Sequence, residues 1–261
     1  LLVGFVCGCT AAELTTPGWD DPSAPEPIGP AVSTLDHWEL LIDETNEKDM
    51  SEILRSQKAE ANQRFANFIR SDYEGWINSS QYPLLSHQVF KEKVFPLLVQ
   101  NNVFLIVVDN LRWDQWEIIE PEIAQLFEIE KKETYFSILP TTTNYARNAL
   151  FSGLMPADIE KQYPHFWTKE SEEGSKNKFE SDLIEAQLRR HRIGVKYNYH
   201  KIIKTQEAKQ IEQKLDELLE SDLNVLVYLL KGQSHIHLRT VTCQSPQEII
   251  HQYLKRLKPL I

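Results

Sequence analysis

Two stretches of the chain combine residue types that can do chemistry with a setting that would expose them. The first is VVDNLRWDQW, residues 107–116, in which Asp109 ends a run of apolar residues. A carboxylate at the tip of a buried strand emerges at the carboxyl edge of a sheet, where ligands of open parallel sheets collect. There it suits a divalent cation. An Asp in this position equally serves as the cap of a following helix, with Arg112 and Asp114 as a local ion pair. The second stretch is SILPTTTNYARNALFSGL, residues 137–154. An extended segment ends at Pro140, three threonines follow, and a helix begins near Asn144. Thr143 is expected at the N-cap, its hydroxyl beside the helix's unpaired N–H groups, an arrangement that attracts phosphate. A Thr hydroxyl is a poor nucleophile unless a metal or base activates it. From this segment alone Thr143 equally reads as an ordinary cap, since Thr is among the preferred cap residues.

Both motifs need a scaffold, and the alternation of elements around them supplies one. Residues 104–108 (FLIVV) and 224–230 (NVLVYLL) are short continuous apolar runs, the pattern of strands buried on both faces. Residues 135–139 are expected as a further strand and 194–199 as extended. Helical stretches are expected through 122–127, over 145–154, over 179–192 and over 206–219. Strand and helix in alternation predict an α/β fold, a parallel sheet flanked by helices. Ahead of it, Met50, Ile53, Leu54, Ala61, Phe65, Phe68 and Ile69 recur at helical steps, with Asp49 and Ser51 as cap candidates. The aromatic set Phe65, Phe68, Tyr73 and Trp76 is read as packing rather than as a ligand cage. Residues 10–35 contain five prolines among Thr, Gly, Asp and Ser and have little to pack. Residues 168–178 are read as a polar surface loop.

Composition sets outer limits. The chain has 261 residues, 41% of them apolar and 25% charged, with a formal net charge of −10. That is enough apolar material for a sizeable core, and an acidic balance that argues against general binding to a nucleic-acid backbone. Local cations can still supply positive charge for phosphate chemistry. The three cysteines, Cys7, Cys9 and Cys243, form no disulfide framework, which points to a reducing cytoplasm. No apolar run reaches the length of a membrane span. LLVGFVCGC at the start has a faint likeness to a lipoprotein signal but no basic segment and no initiator Met, and is read as an arbitrary start.

Taken together, DNLRWDQW and PTTTNYARN resemble the alkaline phosphatase superfamily, and most closely its PglZ branch as found in PorX-type response regulators. The likeness extends through MSEILRSQKAEANQRFANFIRSDYEGWI and KVFPLL upstream, and through EEGSKNKFE to about Tyr228, covering roughly residues 37–228. The resemblance implies a metal-dependent phosphatase or phosphodiesterase with two zinc ions. It implies Asp109 and Thr143 as metal ligands, Thr143 as nucleophile in preference to Thr141 and Thr142, and Asn110, Asn144 and Arg147 as substrate contacts. Asn148 also matches the motif. Implied partners are a phosphoester substrate, an oligonucleotide among the options, and a sensor kinase or secretion regulators of type IX secretion, with a homodimer as a further expectation. A non-catalytic regulatory or dimerisation module in two-component signalling is the alternative.

The pattern breaks after residue 230. The superfamily places an Asp four residues before a His, but Lys231 stands four before His235, and no Asp occurs after Asp222. His235, in Ser234-His235, is the remaining candidate metal ligand, with His237 as a substitute. The expectation is therefore a chain with a disordered or non-native segment 1–35, a helical linker 36–95 and an incomplete front half of a PglZ domain over 96–261, inactive by itself.

Overall fold

The computed structural model describes residues 2–8, 42, 48–78, 83–109, 111, 113–125, 127–168, 175–203 and 205–229. Its centre is a parallel sheet of β1 (Leu2–Gly8), β2 (Val103–Asp109), β3 (Tyr197–Ile202) and β4 (Leu223–Leu229), in the order β1-β2-β4-β3. β2 and β4 hold the inner positions, which is why VFLIVVD and LNVLVYL are apolar almost throughout: both of their faces are covered. Asp109 lies opposite Gly8 on one side and Leu229 on the other, at the last rung of the ladder. Leu2–Gly8, at the head of the segment 1–35 that the sequence reading takes as disordered or non-native, pairs in parallel with β2 along its whole length.

The period-two alternation of β2 divides the core. Val103, Leu105 and Val107 pack with Phe90, Phe151, Ile184 and Leu188. Phe104, Ile106 and Val108 pack on the other face with Ile119, Ile123, Ile211 and Leu218. The first face is covered by α3 (Thr143–Ser152), α4 (Pro156–Gln162, through Ile159) and α5 (Glu180–Arg190), the second by α2 (Trp113–Ile123), α6 (Thr205–Glu212) and α7 (Leu215–Leu219). The expected helix over 206–219 is thus two short ones. Because Asp109 continues the odd series, it falls on the α3 and α5 side of the sheet.

Residues 135–139 do not join the sheet. Phe136 forms a single bridge with Leu85, its N–H donating to the Leu84 carbonyl at 2.8 Å and its carbonyl accepting from Ser86 N–H at 3.0 Å. The Ile138 N–H donates to Ser86 Oγ at 3.1 Å. The apolar side chains of this segment are taken by a third cluster instead, in which Phe136 and Ile138 meet Phe65, Phe68, Ile69 and Trp76 of the long helix α1 (Lys48–Asn78). The Phe136 ring stacks parallel to Phe65 at 6.3 Å and lies 4.7 Å from Trp76. The aromatic set of α1 is packing, as its spacing predicts. Between α1 and β2, Phe90–Val94 and Phe95–Val99 form short helical turns that bury Phe90, Val94 and Phe95 under the sheet.

Candidate functional site

The site lies where β2 ends and α3 begins. Thr142, not Thr143, is the N-cap of α3: its backbone is extended, with φ −60° and ψ 142°. Its carbonyl already accepts the N–H of Tyr145 at 2.9 Å and of Ala146 at 3.0 Å. Three consecutive threonines are equally good cap formers, so the sequence does not fix the frame, and the structure moves it by one residue. Thr143 is the first helical residue. Its N–H and that of Asn144 have no acceptor within the helix, and both side chains are half-buried. The Thr142 side chain makes no capping hydrogen bond to this terminus.

One turn further along α3, on the same face as Thr143, stands Arg147. It is 5% exposed, and its Nη1 lies 3.1 Å from Asp109 Oδ2. Its Nε donates to Glu180 Oε1 at the first residue of α5. Glu180 is 1% exposed and also accepts from the Tyr199 hydroxyl at 2.6 Å and from Lys201 Nζ at 2.8 Å. Two carboxylates and two cations so arranged balance their charges, the condition under which burial of ions is tolerated. Burial, and next the Glu180 carboxylate, raise the Tyr199 pKa, so this hydroxyl remains a donor.

The network continues to the start of α3. Lys201 Nζ donates to the Asn177 carbonyl at 2.8 Å, and Asn177 Nδ2 donates to Asn148 Oδ1 at 3.1 Å and to the Thr143 carbonyl at 3.3 Å. Asn148 Nδ2 in turn donates to the Lys176 carbonyl at 3.2 Å. Arg147 and Asn148 are consecutive and both buried, and each ties α3 to a different neighbour.

Of the residues singled out in the sequence, Asp109 and Arg147 are therefore in direct contact, and Thr143 and Asn144 form the first turn of the same helix. Asn110 and His235 lie outside the described residues. Glu180, Tyr199, Lys201 and Asn177 were not legible as site residues. Their partners are distant in sequence, and a Glu opening a helix reads simply as a favourable N-terminal charge.

Zinc binds through three or four well-placed ligands. Among the described residues no group of three or more His, Cys, Asp or Glu side chains stands together as a metal site. The carboxylate of Asp109 is engaged by a guanidinium. The described residues do not fit a zinc centre.

Residues 89–237 match the BREX system PglZ alkaline phosphatase-like domain. The match spans more than half of the chain, and the chain belongs to this family. Residues 32–77 match the PorX response regulator linker domain, and most of α1 falls within them. A PglZ domain behind such a linker makes this a PorX-type PglZ protein. No curated protein matches the chain. Among the described residues, no helix is long and apolar enough to cross a membrane.

Proposed function

We propose that the chain carries the nucleophile side of a phosphoester hydrolase. The Thr143 oxygen attacks phosphorus, the ester alcohol leaves, and water then hydrolyses the phosphothreonine so formed. The phosphoryl oxygens are received by the open N–H groups at the start of α3, with Asn110 and Asn144 as substrate contacts. Arg147, buried between two carboxylates, positions Asp109 instead of touching substrate. The observation that supports this reading is the 3.1 Å pair between Arg147 and Asp109, which draws the end of β2 to the helix that Thr143 opens. The net charge of −10 favours a small or single-stranded phosphoester over duplex nucleic acid.

Family resemblance suggests zinc, with His235 as a further ligand beside Asp109 and Thr143. Since the described residues do not supply a zinc centre, no step is assigned to it, and the 261-residue chain is inactive by itself in this reading. A cytoplasmic role in type IX secretion, under a sensor kinase, belongs to the same proposal. The test is hydrolysis of bis(p-nitrophenyl) phosphate with and without zinc and a chelator. Chelator-sensitive turnover by the purified chain refutes its inactivity. In an active form of the protein, Thr143→Ala abolishes turnover, and unchanged turnover rules out the nucleophile.

A second reading is favoured by the match of residues 32–77 to a response-regulator linker. Here the output is binding: α1, with Met50 and Ile53 at 43% and 54% exposure, couples a regulatory partner or a second copy to the PglZ domain. Light scattering behind size-exclusion chromatography separates the two, a strict monomer counting against a dimerisation module.

A further inference from the structure

The disagreement between the family's metal chemistry and the residues around Asp109 has a specific physical source. Asp109 is 7% exposed, and a carboxylate so buried requires a counter-charge. Arg147 provides it from 3.1 Å. The guanidinium is held from behind: Glu180 takes its Nε, and Glu180 is itself held by Lys201 and Tyr199. Asp109, Glu180, Arg147 and Lys201 together sum to zero charge. A divalent cation ligated by the same carboxylate would stand within a few ångströms of the guanidinium and add two positive charges to these four balanced groups, in surroundings where charge is poorly screened. We infer that Arg147 takes the cation's place at Asp109, so that a divalent cation and Arg147 exclude one another there.

The inference rests on the proposed reading of Asp109 as a site residue, and is independent of whether Thr143 is a nucleophile. Loss of turnover in Thr143→Ala would uphold the hydrolase even if the exclusion failed, and the exclusion can hold in a protein with no turnover.

Thermal unfolding of the 261-residue protein, with and without millimolar Mn²⁺, tests it in four forms: wild type, Asp109→Asn, Arg147→Ala and the double variant. Removing the guanidinium leaves Asp109 and Glu180 facing a vacated space. The expected result is that Mn²⁺ raises the melting temperature of Arg147→Ala by several degrees more than that of wild type, and that Asp109→Asn in the same background removes the gain. A folded Arg147→Ala without an Asp109-dependent gain overturns the inference. If Arg147→Ala does not fold, calorimetric titration of Mn²⁺ into wild type and Asp109→Asn decides it. Equal affinities, or no binding in either, uphold the exclusion, and binding at least threefold weaker in Asp109→Asn overturns it.

Discussion

The Tyr73 hydroxyl accepts the Leu139 amide N–H at 2.7 Å. This bond joins the linker helix α1 to the segment that enters the first turn of α3, four residues before Thr143. Phe136, packed against Phe65, Phe68 and Trp76, reinforces the same joint from its apolar side. The linker is therefore seated on the chain that delivers Thr143, through both a polar and an aromatic contact.

Tyr73→Phe removes only the polar contact. The expected loss is about 1 kcal/mol, the ordinary net worth of one hydrogen bond, with faster amide exchange at Leu139. Phe136→Ala empties the aromatic cluster and should cost about 3 kcal/mol or more. Urea unfolding ranks the two, and equal effects would mean that the aromatic packing contributes little.

Glu180 collects three donors in the core, so neutralising it leaves Arg147 and Lys201 without their shared anion. Glu180→Gln preserves the shape and should destabilise the protein by about 3 kcal/mol, as breaking a buried ion pair does. A loss within about 0.5 kcal/mol, the range of ordinary surface substitutions, would mean that Glu180 is not buried among these partners.

Gly153 ends α3 at φ +64°, and a Cβ there would stand 2.2 Å from Gln187 Nε2 and 2.8 Å from its Cδ. Gln187 is fully buried, so its amide end would have to shift within the core to admit the Cβ. Gly153→Ala combines left-handed strain of about 1–2 kcal/mol with that overlap. A melting temperature unchanged from wild type would contradict the placement of α5 against the end of α3.

How much of this was legible follows from where each signal lies. β2 and β4 are continuous apolar runs, and Asp109 is the first polar residue after one of them, so strand and edge position can be read locally. The helix after the threonines has a clear apolar period. Residues 135–139 have the apolar character of a strand, but composition does not say whether a sheet or an aromatic helix face will cover it, and here α1 does. β1 precedes a Pro-rich stretch and pairs with a strand about a hundred residues away, a contact no local pattern reports. Glu180 is invisible for the same reason, its cationic partners lying 33 and 21 residues away in opposite directions.

Acid should weaken the fold before the carboxylates titrate. Burial, opposed in part by Asp158, lowers the pKa of His87, whose Nδ1 is buried without a hydrogen-bond partner among the described residues. His200 and His191 are also lowered, burial being the leading cause in each. A folded-state pKa below the unfolded value means full stability above about pH 6.5, lost as pH falls through the folded pKa. Urea midpoints at pH 7.5 and 5.5 should therefore drop less in His87→Leu than in wild type. At the other extreme, burial raises Tyr73, Tyr199 and Tyr228, so their contribution persists to about pH 10 and is lost above it.

The tip of β2 and the first turns of α3 share one edge of the sheet, held there by Asp109 and Arg147. A double-mutant cycle in urea with Asp109→Asn, Arg147→Met and their combination measures that contact directly. The expected coupling is about 2 kcal/mol or more, towards the upper end for residues in one buried network. Additivity within about 0.5 kcal/mol, as for residues that do not touch, would contradict it.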